Sequence, residues 1–369
     1  MNLPELFATA PAVYAVGHDY QIFVPVTQES LMWVKVGAET FYDHSNGVLR
    51  SHSSTHRMVV PMAALDKAKE YTICYRIVNE RKPYRSDVTD VESITFRFRP
   101  VTGPEIRLYH IADAHNCVAA PVAAGSYFGD ALDLLVLNGD VPEDSGNIAN
   151  FKTIHEIAGQ LTGGGIPAVF SRGNHDTRGI YAEALAEHTA CNNGVSYYTF
   201  RIGPMWGIVL DCGEDKCDDH EEYGHTICCE AFRQQETAFL KQVIANAKDE
   251  YEAEGVQYKV VISHVPFGSN LAAPFDIEIE TYREWCRLLK ENVKPHLMLA
   301  GHIHRAYVVH AGDELDHNGV PCPMAVLSQR KGGNRDYFAG GAVTFAPGKI
   351  DILITDSEKN ILGSETIEI

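Results

Sequence analysis

At 369 residues, with 45% apolar and 22% charged side chains, the chain has the make-up of a soluble globular protein and enough length for two domains. A formal net charge of −18 argues against a surface built to hold nucleic-acid phosphates. No stretch approaches the roughly 18 uninterrupted apolar residues of a membrane-spanning helix. Nine cysteines, an odd number spread through a long chain, favour reduced thiols over a disulfide framework. The opening Met1-Asn2-Leu3-Pro4-Glu5 lacks the basic segment and apolar core of a secretory signal, so the reading is a cytoplasmic protein.

Residues 1–101 read as short strands separated by turns. Alternating or β-branched runs occur at 20–26, 30–36, 56–60, 71–78 and 93–99, and such spacing predicts a small antiparallel sandwich. The segment resembles a fibronectin type III-like module. Pro100 and Pro104, with Gly103 between them, mark a linker. From Glu105 the rhythm becomes strand, loop, helix. Apolar runs at 106–112, 132–137, 166–170 and 259–262 read as strands, and helical stretches lie near 147–161, 182–188, 230–248 and 281–290. That alternation implies a layered α/β core. After His304 the chain returns to strands at 307–309, 324–327, 342–345 and 350–354, which are expected to complete a second sheet packed on the first.

Five short motifs rich in metal-ligating side chains follow the apolar runs in order. They are Asp113-Ala114-His115, Gly139-Asp140, Gly173-Asn174-His175-Asp176, Ser263-His264 and Gly301-His302-Ile303-His304. Strand ends are where an open α/β sheet keeps its site, and carboxylates with imidazoles suit divalent ions of the Mn, Fe, Zn or Co kind. Side chains two apart on an extended segment point the same way, so Asp113 with His115, and His302 with His304, are expected to converge. Glycines before Asp140, Asn174 and His302 permit tight turns against a metal. Each motif alone has a plainer reading as a turn or a solvated loop; their order and shared context carry the argument.

Together the five motifs resemble the calcineurin-like metallophosphoesterase family of binuclear metal phosphohydrolases. The resemblance implies a four-layer α/β/β/α core, two packed mixed sheets flanked by helices, over residues 105–369, preceded by the all-β sandwich of residues 1–101. It implies that Asp113, His115 and His304 hold one metal, that Asn174, His264 and His302 hold a second, and that Asp140 bridges the pair. Mn, Fe or Zn would fill these positions, with Co or Ni accepted in vitro. The implied reaction is hydrolysis of a small-molecule phosphate mono- or diester by a metal-bridging hydroxide, with His175 assisting the leaving group. Asp176 would orient the His175 imidazole, and Asn174, His175 and Arg178 would contact substrate, Arg178 by gripping a phosphate oxygen.

Other features narrow this reading. Neither a Gly-x-Ser-x-Gly elbow nor a phosphate-cradling Gly-x4-Gly-Lys-Ser/Thr loop is present. His115 stands where purple acid phosphatases have no histidine, and Val141-Pro142-Glu143 follows Asp140 without the tyrosine those enzymes carry, so a tyrosinate-ligated iron is not expected. Cys212, Cys217, Cys228 and Cys229 share an acidic insertion with His220 and His225; lacking paired Cys-x-x-Cys spacing, it reads as a loop over the site that helps choose substrates. Arg330, Lys331 and Arg335 form a basic cluster near the last motif. Two rival readings remain at this level: a non-catalytic protein docking a partner through its front β-domain, and a nuclease on the same scaffold, which the acidic balance disfavours.

Overall fold

The computed structural model describes residues 2–330 and 334–369; Lys331 of the basic cluster lies outside them. A nine-stranded sheet has the order Ile361–Glu368, Lys349–Asp356, Ala339–Ala346, Ile106–Ile111, Leu134–Asn138, Pro167–Ser171, Ala12–Val16, Asp19–Pro25, Thr55–Pro61. A six-stranded sheet runs Tyr198–Ile202, Met205–Leu210, Tyr258–Ser263, Leu297–Ala300, Met324–Val326, Tyr307–Val309. Their inner faces share one core. Along Met205–Leu210 the odd residues Met205 and Val209 join the cluster that contains Leu108, Val136 and Val343 of the larger sheet. The even residues Trp206, Ile208 and Leu210 join a second cluster with Leu240 of the helix Cys229–Ala245 and Trp285 of the helix Ile279–Leu288. That alternation is what a strand buried on both faces must show. On the larger sheet, Ile154 and Ile157 of the helix Lys152–Thr162 pack into the shared core.

Two expectations about the sheets need correction. The late strands were expected together in the second sheet, but only Tyr307–Val309 and Met324–Val326 belong there. Ala339–Ala346 returns to the first sheet and pairs antiparallel with Ile106–Ile111, Ile106 opposite Phe345, and the chain continues outward from it. The front strands are likewise divided. Ser30–Val36, Glu39–Tyr42, Glu70–Arg81 and Glu92–Arg97 form a separate antiparallel sheet, with Ser86–Val88 paired to Glu70–Arg81. Ala12–Val16, however, runs parallel to Pro167–Ser171, with Val13 opposite Pro167 and Tyr14 opposite Ala168. The front region is therefore all-β apart from the helix Met62–Ala68, but one leaf of it is continuous with the sheet that carries the site. Residues 101–105 do not mark an edge of that sheet.

Ile106–Ile111, Leu134–Asn138 and Pro167–Ser171 are parallel neighbours in the larger sheet, as are Tyr258–Ser263 and Leu297–Ala300 in the smaller. The five motifs consequently emerge along two rims. Asn138, fully buried, ties these rims together: its Nδ2 lies 2.9 Å from His110 Nε2 and donates to the carbonyls of Ser263 at 3.1 Å and Leu299 at 3.2 Å. Among the described residues no helix is long and apolar enough to cross a membrane, and the nine cysteines form no disulfide.

Candidate metal centre

The backbone, before any side chain, sets this site apart. Asp113, His115, Asp140, His302 and His304 all have left-handed φ, from +45° to +70°. Non-glycine residues seldom adopt that conformation, and such strain clusters at functional sites. The expected logic of extended segments with alternating side chains is thus replaced by sharp left-handed turns. Those turns are fixed by hydrogen bonds among the motifs: Asp113 N to Gly139 O at 3.1 Å, His115 N to Asp140 O at 2.9 Å and His302 N to Asp113 Oδ2 at 2.9 Å. The glycines answer to close approach. A Cβ on Gly139, itself at φ +77°, would lie 2.5 Å from His264 Nδ1, and one on Gly173 would land on the Asp140 carboxylate.

The expected ligands then converge in two groups. Asp113, His115 and His304 form one cluster and Asp140, His264 and His302 another, each with donor atoms within 4.8 Å of one another; His115, Glu143 and His175 form a further group of the same closeness beside the first. Asp113 Oδ1 is buried with no hydrogen-bond donor and faces His304 Nε2 at 3.2 Å, His264 Nε2 at 3.8 Å and His115 Nε2 at 4.0 Å. Asp140 Oδ2 lies 3.2 Å from His264 Nε2 and 4.0 Å from His115 Nε2, so it reaches both clusters. Asn174 turns its amide oxygen to His302 Nδ1 at 3.0 Å, among acceptors only; the rotated amide would instead donate to His302 Nδ1 and to Asp140 Oδ2 at 3.3 Å. An oxygen presented to acceptors, and a buried carboxylate oxygen ringed by imidazoles, are what a cation between them would satisfy. The residues fit two metal ions. His264 Nδ1 is 2.7 Å from the Asn138 carbonyl, which fixes the proton there and leaves Nε2 facing the cluster.

Electrostatics bear the same mark. Burial alone would raise Asp113 and Asp140, but His264 overrides it, holding Asp113 far below the usual carboxylate range and Asp140 at about 2. Burial would lower His264, yet the two carboxylates push it up to about 10. Burial, against Asp140 and Asp113, pulls His115 down to about 4. Asp176 is raised to about 8 by burial and by the Asp140 charge. Bound cations would reverse several of these trends, because their charge dominates such a site.

The flanking residues depart from expectation. Asp176 does not orient His175: its Oδ2 accepts from Gly173 N at 2.7 Å, inside the turn. The His175 ring is held instead by the Glu143 carbonyl, 2.9 Å from Nδ1, so Nε2 faces the centre, 4.0 Å from Asp140 Oδ2. Arg178 does not open toward a phosphate position. Its Nε and Nη2 each donate at 2.8 Å to the two carboxylate oxygens of buried Glu214, while Nη1 lies 3.4 Å from His175 Nε2. Of the supporting residues, Ser328, whose hydroxyl donates to Asp113 Oδ2, carried no sequence signal. Asn138 did carry one, as a polar residue closing an apolar strand. The insertion's cysteines and histidines enter no metal-ligand cluster among the described residues.

Two stacked sheets that bring carboxylates, imidazoles and an amide to adjoining rims define a metal-dependent hydrolase of phosphoric esters. The chain belongs to the calcineurin-like phosphoesterase family, whose description it matches over residues 106–306. Solved structures share the fold at low identity. A purple acid phosphatase from yellow lupin (Lupinus luteus) seeds aligns with a TM-score of 0.61 and 12% identity, over 98% of this chain and 75% of its own. A structure described as PhoD aligns at 0.57 and 10%, over 100% and 90%. A dimetal phosphatase from Danio rerio aligns at 0.50 and 13%, over 72% and 99%. None of the curated proteins matches the chain.

Proposed function

We propose that the chain hydrolyses small-molecule phosphate mono- or diesters at a two-metal centre. Asp113, His115 and His304 would hold one ion, Asn174, His264 and His302 the other, and Asp140 would be shared between them. Mn, Fe or Zn fits a donor set of carboxylate, imidazole and amide. When bound, the ions would neutralise phosphoryl oxygens and activate water for in-line attack. The observation that carries the reading is Asp113 Oδ1, buried without a donor and faced by three imidazoles.

The protein's own groups supply orientation and a proton. His175 directs Nε2 into the centre because Nδ1 is committed to the Glu143 carbonyl. An imidazolium in that pose can donate from Nε2 to the oxygen of the departing alcohol. The His175 backbone N–H donates to Asp140 Oδ1 at 2.9 Å, which places the proton donor beside the shared carboxylate. Arg178, closed on Glu214, supports this turn rather than binding phosphate.

The test is a metal-loaded activity screen across monoesters, diesters, nucleotides and phospholipid head groups, with metal content measured on the same samples. Turnover that needs two equivalents of metal supports the reading. Metal-replete protein inert across the panel would overturn this reading and leave the non-catalytic and nuclease alternatives.

A further inference from the structure

The acidic insertion at 211–230, read from sequence as a substrate-choosing loop, points its carboxylates at the metal centre's own supports. Glu214 takes both bonds of the Arg178 fork and a third from Thr177 Oγ1 at 2.8 Å. Thr177 and Arg178 close the turn that carries Asn174 and His175. On the upstream side of that turn, Arg172 Nε lies 2.6 Å from Asp211 Oδ2. The turn bearing Asn174 is therefore held at both ends by carboxylates of one insertion.

Asp215, the next residue, faces a different ligand. Its Oδ1 accepts from Tyr223 OH at 3.0 Å and from Lys216 Nζ at 3.2 Å. Its Oδ2 is left for His302 Nε2, at 3.6 Å. His302 presents Nδ1 to the Asn174 amide, so with Nδ1 directed at the proposed cation the outward Nε2 would carry the ring proton. Imidazole ligands are commonly fixed in tautomer and rotation, and made more basic, by a carboxylate at the rear nitrogen. Tyr223 OH also donates to Glu214 Oε2 at 2.9 Å, linking the two acids directly. Among the described residues, no hydrogen bond or ion pair joins the insertion to Asp113, His115 or His304.

We infer that Glu214 and Asp215 are positioning residues for the second cation: Glu214 sets the Asn174 turn through Arg178, and Asp215 sets the His302 imidazole. The inference rests on the two-cation reading above, and its distinguishing consequence is asymmetry. Loss of either carboxylate weakens one metal position and spares the other. Glu214→Gln acts twice in the same direction, since it loosens the turn and leaves the Arg178 charge less compensated beside a cation.

The test is equilibrium dialysis of full-length protein against buffered free Mn²⁺, with bound metal read by elemental analysis and unfolding of the metal-free protein followed in parallel. Wild type is expected to take up two equivalents. Asp215→Asn and Glu214→Gln should keep one equivalent at wild-type affinity and bind the second roughly 10- to 100-fold more weakly. Glu221→Gln, which removes an exposed carboxylate from the same loop, should leave both unchanged. Lys216→Met frees Asp215 from its anchor without touching the carboxylate and should weaken the second equivalent by a smaller factor, a comparison that stands even where Asp215→Asn fails to fold. Equal weakening of both equivalents, or no weakening in the folded variants, overturns the inference. A wild type that binds fewer than two ions overturns the metal reading and the inference with it.

Discussion

His155 offers a quantitative test of how the front strands and the catalytic sheet are joined. It lies on the helix Lys152–Thr162, fully buried, stacked on Phe23 at 5.0 Å and edge-on to Tyr14 at 5.8 Å, both from front strands. Nε2 is 2.7 Å from the His188 carbonyl, so the proton sits there and Nδ1 accepts from Tyr14 OH at 3.3 Å. Burial, only partly opposed by the His188 carbonyl, pulls the ring from its ordinary 6.5 down to about 4. The sign follows from proton counting. Between those values the unfolded chain binds a proton that the folded protein refuses, so stability falls as pH falls through the window. From pH 7.5 to 4.5 this one residue should cost about 2.5 kcal/mol of unfolding free energy. The assay is urea unfolding of wild type and His155→Leu at both pH values. At pH 7.5 the variant should be weaker by about 1–3 kcal/mol, because Tyr14 OH and the His188 carbonyl lose their partner. At pH 4.5 the gap should shrink by about 2.5 kcal/mol, since other titrating groups cancel in the difference. Parallel pH dependences in the two proteins would refute the argument.

Three further outcomes follow from the centre. Asp140→Asn and His264→Asn should each lower metal content and reduce turnover by more than the roughly 100-fold typical of losing a supporting partner, checked by elemental analysis beside steady-state rates. His175→Asn should slow alkyl phosphate esters by about 10²- to 10⁴-fold and nitrophenyl esters far less, because a good leaving group needs little protonation; equal losses on both would remove the proton-donor role. Gly173→Ala should disturb catalysis well beyond its effect on folding, since the added methyl meets the Asp140 carboxylate, and an activity loss no larger than the stability loss would count against that close approach.

Much of the architecture was legible because strands and ligands are local features of sequence. The expected run 30–36 coincides with the strand Ser30–Val36, and the expected helix near 230–248 with Cys229–Ala245. Ala12–Val16 escaped for a physical reason. It is buried on both faces and shows no alternation, and the parallel pairing with Pro167–Ser171 spans more than 150 residues. The left-handed backbone at Asp113, His115, Asp140, His302 and His304 was hidden because none is glycine; the turns are imposed by contacts between motifs, not by residue type. Partner choice was hidden for the same reason. Nothing local says that the Glu143 carbonyl, rather than neighbouring Asp176, holds His175, or that Arg178 closes on Glu214.

The hydrogen bonds that fix those turns bear on whether the cage exists without its ions. Backbone donors from His175 and His302 reach Asp140 Oδ1 and Asp113 Oδ2, each at 2.9 Å, and the Ser328 hydroxyl also donates to Asp113. Each carboxylate thus has one oxygen satisfied by the protein and one turned to the imidazoles. A centre of this kind differs from a small zinc module whose fold depends on its metal, because the ligands ride on two sheets that share a large core. Chelated protein is therefore expected to remain folded, with far-ultraviolet circular dichroism unchanged, while added metal raises the unfolding midpoint only through preferential binding to the native state. At a free metal concentration 100 times the dissociation constant that linkage is worth about 2.7 kcal/mol per site. Collapse of secondary structure on chelation would show instead that the metals build the cage, and that the left-handed turns are a consequence of binding rather than a preparation for it.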